Sequence, residues 1–229
     1  MKPRALGVLM LVNAISTTIW VVIVVVSEAT AIPVVTLAEK IGALGNLNFV
    51  FYFNYINAAL ITLFDVALFA GVYLYCRDDE PFWATIAVAF VPIYGLGNLL
   101  AYLSQVFMVP HLLTLYRAPE TVSIATVLLG LTLHTWSGSA VEFINGLSYA
   151  ILGIPSIIFS AIMFYKTKAL RAGSVLLAHS GLLSIIALIG AGLQNPILTK
   201  MSLVSGFIFL IALILIGLFL VRQPVKQAK

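Results

Sequence analysis

Residues 142–156, EFINGLSYAILGIPS, decide how the chain is read. They lie in an apolar segment, 140–165, long enough to cross a bilayer. Yet Glu142, Asn145, Tyr149 and Ser156 recur inside it at spacings of three, four and seven, which places all four on one face of a helix. A carboxyl, an amide and a phenol on one membrane stripe need polar partners or water, because acyl chains supply neither. Other spans are therefore expected to pack around this stripe.

The composition agrees. Of 229 residues, 62% are hydrophobic and only 9% charged, against about 25% charged in an ordinary soluble domain. Most of the surface must face lipid, so the bilayer is the first partner. The net charge of +4 is not a nucleic-acid footprint, since the basic residues sit at the ends of apolar runs rather than in a patch. Cys76 is the single cysteine, which rules out an internal disulfide.

Working outward, six spans are expected, at 5–27, 49–76, 82–107, 140–165, 173–194 and 201–221. The first is too long for the apolar core of a signal peptide and reads as a span. Pro81 suits the first turn of span three and Pro110 is expected to end it. Two further stretches, 37–44 and 122–133, are apolar but short, and read as interfacial or re-entrant helices. The fold class is thus all-α, a six-helix transmembrane bundle forming one domain over 1–229. Of the basic residues, Lys2, Arg4, Arg77, Lys166, Lys168, Arg171, Arg222, Lys226 and Lys229 fall on the side of the termini, and only Lys40, Arg117 and Lys200 on the other. By the positive-inside rule both termini are cytoplasmic.

Spans two and three carry polar stripes of their own. Asn54, Asn57 and Asp65 share one face, as do Tyr94, Asn98, Tyr102 and Gln105. Span one has a shorter cluster at Asn13, Ser16, Thr17 and Trp20. At a rise of about 1.5 Å per residue, Asp65 and Tyr94 lie roughly 17–18 Å from the cytoplasmic ends, and Glu142 is close to the outer interface. The stripes overlap in depth and predict an outer-half pocket of Asn57, Asp65, Tyr94, Asn98, Glu142, Asn145 and Tyr149, with Asp65 at its floor. Pro92 and Pro155 lie at similar depth and can mark a midplane binding site in transporters, though they are also ordinary in membrane helices. Close helix contacts are expected at small pairs such as Ala67 with Gly71 and Ser202 with Gly206.

No nucleophile elbow, H-E-x-x-H pair or P-loop pattern occurs in the sequence. His179 lies in the inner part of span five and cannot share a haem iron with His111 or His134, which belong to the outer connection and read as interfacial residues. No catalytic residue, metal ligand or cofactor is assigned. Three motifs, Arg4-Ala5-Leu6-Gly7, His134-Thr135-Trp136-Ser137-Gly138 and Leu170-Arg171-Ala172-Gly173-Ser174-Val175-Leu176-Leu177, resemble those of six-span prokaryotic membrane proteins grouped as a domain of unknown function. The resemblance implies six helices in a prokaryotic cell membrane and brings no site residues. Two functions compete. One is binding or transport of a small solute or cation through the polar pocket. The other is a non-catalytic subunit or scaffold whose polar residues only hold helices together.

Overall fold

The computed structural model describes residues 3–30, 34–45 and 47–223, with the side chains of 28–30 excepted. Residues 1–2, 31–33, Asn46 and the tail 224–229, with Lys2, Lys226 and Lys229 of the charge count, lie outside the described residues. Apolar runs bounded by polar caps become helices. The first run forms α1 (Pro3–Thr30). Thr36 and Glu39 then build a reciprocal capping box that starts α2 (Leu37–Ala43). The backbone N–H groups of Thr36 and Val35 hold the Glu39 carboxyl below the usual carboxylate range. Asn48 accepts from the Phe51 N–H at 3.0 Å and starts α3 (Phe49–Cys76).

Pro81 opens α4 (Pro81–Tyr116), where its missing N–H is harmless. This helix runs on through Pro110 to Tyr116, so Pro110 does not end the span as the sequence suggests. Short α5 (Val122–Thr132) and then α6 (Ala140–Lys166) follow. A single 3₁₀ turn at Lys168–Leu170 leads to α7 (Arg171–Gly192), four-residue α8 (Pro196–Thr199) and α9 (Met201–Arg222). Six of these helices are long and apolar enough to span a membrane. The chain is built as an all-α, multi-pass integral membrane protein.

The six long helices close a ring in the order α1, α3, α4, α6, α7, α9 and back to α1, with α3 and α6 also touching each other. The two ends meet, as the Arg4 Nε donates to the Gln223 carbonyl at 3.0 Å. Glycines set two of the closest approaches. A Cβ on Gly181 of α7 would lie 2.5 Å from the Gly153 carbonyl of α6, and one on Gly7 of α1 would lie 2.7 Å from the Gly217 carbonyl of α9. Gly206 faces open space, so the expected Ser202–Gly206 contact is not where helices meet.

The interior is divided by depth. Toward the termini it is apolar, with Phe69, Val72, Phe159, Met163, Leu213 and Leu220 buried. The Phe69 ring packs against Phe159 and Phe209 at 6.1 and 6.4 Å. Away from the termini, α2 and α5 close over the ends of α3 and α4, with Ile41, Val109, Leu113, Leu129 and Leu133 buried between them. The polar side chains lie between these two apolar regions. Asp65 is one helical turn from Phe69 and sits where the polar half begins.

Candidate functional site

Four of the seven expected site residues come together as a hydrogen-bonded column. Asp65 of α3 is buried, and its two oxygens accept different donors. Oδ2 takes the Tyr94 hydroxyl of α4 at 2.7 Å, and Oδ1 takes the Asn13 amide of α1 at 2.6 Å. Tyr94 in turn accepts from the Asn98 Nδ2 at 3.3 Å, one turn along α4. The same Nδ2 donates to the Thr62 Oγ1 at 3.1 Å, and the Asn98 Oδ1 accepts from the Asn145 Nδ2 of α6 at 2.6 Å. Donation therefore runs from Asn145 through Asn98 and Tyr94 to Asp65, and Asn13 adds a second donor. Both carboxyl oxygens act as acceptors, as in an ionised carboxylate. No Lys or Arg pairs with it: the salt bridges among the described residues are Arg77–Asp78 and Lys166–Asp79 at the face of the termini.

Tyr149 flanks the column rather than joining its line. Its hydroxyl pairs with that of Tyr102 at 2.9 Å, and its ring lies 5.8 Å from that of Tyr94. At the far end, Gln105 holds the connection between α5 and α6. Its Nε2 donates to the Thr132 carbonyl at 2.7 Å and its Oε1 accepts the His134 N–H at 3.1 Å. This places the His134 ring 5.9 Å from Tyr55 and 5.5 Å from Tyr102, with its Nε2 buried and unpaired. His134, expected as an interfacial residue, is half-buried with its ring against two tyrosines. It caps the polar column beside Asn145, and burial pushes its imidazole below the ordinary value.

Two expected members are elsewhere. Glu142 turns back to its own helix start: its Oε2 accepts the Gly138 N–H at 2.7 Å while its N–H donates to the Ser139 Oγ at 3.0 Å. As the third residue of α6 it caps, and its carboxyl does not enter the column. Asn57 points to α1, where its Nδ2 donates to the Ser16 carbonyl at 3.2 Å, away from the chain that ends on Asp65. Ser156 is satisfied within α6 by the Leu152 carbonyl at 2.8 Å. Pro92 lies on the exposed side of α4 while Pro155 is buried in α6, so the two do not flank one site.

Nor is the arrangement an open pocket. Tyr94 and Asn98 are 0% exposed and Asp65 2%. Two clefts, of about 260 and 230 Å³, lie apart from the column, the first beside Gly45, Pro110 and Arg117 and the second beside Asp79, Tyr165 and Lys166. In the first, Arg117 donates to the Gly45 carbonyl at 2.5 Å. At the second, Lys166 pairs with Asp79, donates to the Tyr75 carbonyl at 3.0 Å and lies over the Tyr75 ring.

The residues that sequence reasoning left out of the site are Asn13, Thr62, Tyr102, Gln105 and His134. Tyr102 and Gln105 were legible on the Tyr94–Asn98 stripe. Thr62 gives no signal, because its hydroxyl also bonds the Ala58 carbonyl of its own helix at 3.0 Å. Among the described residues no three His, Cys, Asp or Glu side chains gather as metal ligands. Comparison with family models, with curated proteins and with solved structures gives no match for this chain.

Proposed function

We propose that this membrane protein binds a small cation, the proton included, at Asp65, and couples its passage or that of a small solute to opening of the polar column. The observation that carries the reading is an acceptor-only carboxylate held by neutral donors inside a membrane bundle, with no cationic side chain paired to it among the described residues. An unneutralised carboxylate at that depth is costly by several kcal/mol, and a bound cation or proton removes the cost. The division of the interior favours entry from the face opposite the termini. Beneath Asp65 lie the Phe69, Phe159 and Phe209 rings, whereas above it polar groups continue to His134. On the positive-inside reading that face is the outer one, and the membrane is the cell membrane. Kinship with the six-span prokaryotic family belongs to the same proposal.

The test is infrared difference spectroscopy of the purified protein in lipid, following the carboxyl bands while pH or cation concentration is stepped. Bands that respond and vanish in Asp65→Asn support the reading. Asp65 bands that stay silent to both would sink it. The scaffold reading is favoured by one specific observation: Asp65, Tyr94, Asn98 and Asn145 pair with one another in this conformation. It requires those silent bands, together with a loss of helix association when the column is cut.

A further inference from the structure

On α1, the helix that reaches Asp65 through Asn13, two buried oxygens have no hydrogen-bond partner. Asn13 is 0% exposed, and while its Nδ2 donates to Asp65, its Oδ1 is unpaired. One turn further along α1, the Thr17 Oγ1 is also buried and unpaired. The neighbouring α1 groups are already used: the Ser16 carbonyl accepts from Asn57, and the Thr18 hydroxyl bonds the Ala14 carbonyl at 2.8 Å. An orphaned acceptor in a membrane interior is costly, and these two lie one turn apart on the face of α1 that meets Asp65 through Asn13.

From this geometry we infer a binding site for a small alkali cation, sodium in size, held between α1 and α3 by the Asp65 carboxylate, the Asn13 Oδ1 and the Thr17 Oγ1. The inference rests on the reading of Asp65 as a cation-binding group and names the ion. The donors are hard oxygens, which select against soft transition metals. One carboxylate balances one positive charge, and among the described residues no cluster of further acids stands beside it to suit a divalent ion. A bare proton would need Asp65 alone and would leave the Thr17 oxygen unexplained.

Asn13 supplies the switch between the free and bound forms. Its amide torsion is broad and two-fold, so half a turn exchanges Nδ2 and Oδ1. Facing a bare carboxylate the amide offers its N–H, as seen here at 2.6 Å. Facing a carboxylate with a cation against it, the amide offers its oxygen. Water completes the coordination shell.

Equilibrium binding of radioactive sodium to the full-length protein in detergent, at constant ionic strength in choline chloride and at several pH values, tests the site. We expect saturable binding of one ion per chain, lost in Asp65→Asn. Thr17→Val keeps the shape of the side chain and removes its oxygen, and should weaken binding at least about tenfold, as the loss of one charge-assisted contact does. Ser202→Ala on α9, remote from the site, should leave binding unchanged. Absence of saturable sodium binding, or binding indifferent to Thr17→Val in a protein that elutes as the parent does, overturns the inference. If the Asp65 infrared bands still follow pH in that case, the ion is the proton and the broader reading of Asp65 survives. If they follow neither, both readings fall together.

Discussion

Replacing Asp65 by Asn should cost the bundle about 1–2 kcal/mol, well below the cost of Leu, although it alters the one carboxylate in the column. The carboxylate accepts two hydrogen bonds, at 2.7 Å from Tyr94 and 2.6 Å from Asn13. Bonds to a charged acceptor contribute about 1.5–3 kcal/mol each and neutral ones about 0.5–1.5, so neutralising the acceptor loses about 2–3 kcal/mol in all. Against this, a central Asp carries an insertion cost of about 2.5–3.5 kcal/mol. A buried amide gives back about 1–3 kcal/mol of that relief. Asn13 can meet the new amide by turning its unpaired Oδ1 toward the new N–H, which keeps both bonds in neutral form. Taken at mid-range, these terms leave a net loss of about 1–2 kcal/mol. Asp65→Leu has no such rescue. It escapes the same insertion cost but loses both bonds to the carboxylate, about 3–6 kcal/mol in all, and leaves the Tyr94 O–H and the Asn13 N–H without acceptors. The two variants can be compared by reversible denaturation in mixed micelles of dodecyl maltoside and sodium dodecyl sulfate, read by far-ultraviolet circular dichroism. Asn damaging the fold as much as Leu would refute the reasoning, because the column would then depend on the carboxylate's charge and not on its hydrogen bonds.

Three further outcomes follow from other parts of the molecule. Glu142→Gln should leave sodium and proton binding unchanged, whereas Ser139→Ala should lower stability by about 1 kcal/mol, since both residues serve the start of α6; altered ion binding in Glu142→Gln would return that carboxyl to the site. Gly181→Val should prevent α6 and α7 from packing, by at least about 1–3 kcal/mol in the same denaturation assay, because even a Cβ there lies 2.5 Å from the Gly153 carbonyl; a stable Val variant would show that the helices can separate freely. His134 is half-buried among Tyr55, Tyr102, Gln105 and Asn145, none of them a carboxylate, and desolvation lowers its imidazole pKa. The unfolded form takes up a proton first, so the stability His134 contributes is present above about pH 6.5 and is lost as pH falls below it; His134→Gln should flatten the pH dependence of stability in that window, and an unaltered slope would remove His134 as its source.

How much of this was legible in the sequence depends on which physical rule each residue obeys. Span existence follows from length and hydropathy alone, and the six apolar runs fold as six long helices. Within one helix, period alone finds a face, so Tyr94, Asn98, Tyr102 and Gln105 were correctly grouped. The same rule misplaced Glu142, because a residue at the third helical position has a second option, its own unpaired N-terminal amides, and Ser139-x-x-Glu142 is the signature of that option. What periodicity cannot supply is register between helices. Asn13 meets Asp65 across 52 residues because α1 and α3 cross at that height, and nothing in either segment specifies the pairing. His134 depends on a turn whose burial is set by Gln105 from another helix.

The direction of the hydrogen bonds, invisible in the sequence, carries more information than their positions. Were the polar residues glue alone, donors and acceptors could alternate in any sense along the column. Instead Asn145, Asn98 and Tyr94 each pass a donor on toward Asp65, and Asn13 supplies another from the opposite helix. Such a chain polarises each bond in the same sense and concentrates its effect on the terminal acceptor. The acceptor is a carboxylate standing on a floor of phenylalanine rings, where no basic side chain among the described residues pairs with it. If Asp65 is ionised, a bundle selected for cohesion alone gains nothing from the charge, since an amide would hold the same four helices at a similar free energy. On the proposed function, the carboxyl group is there for something that visits it with a positive charge.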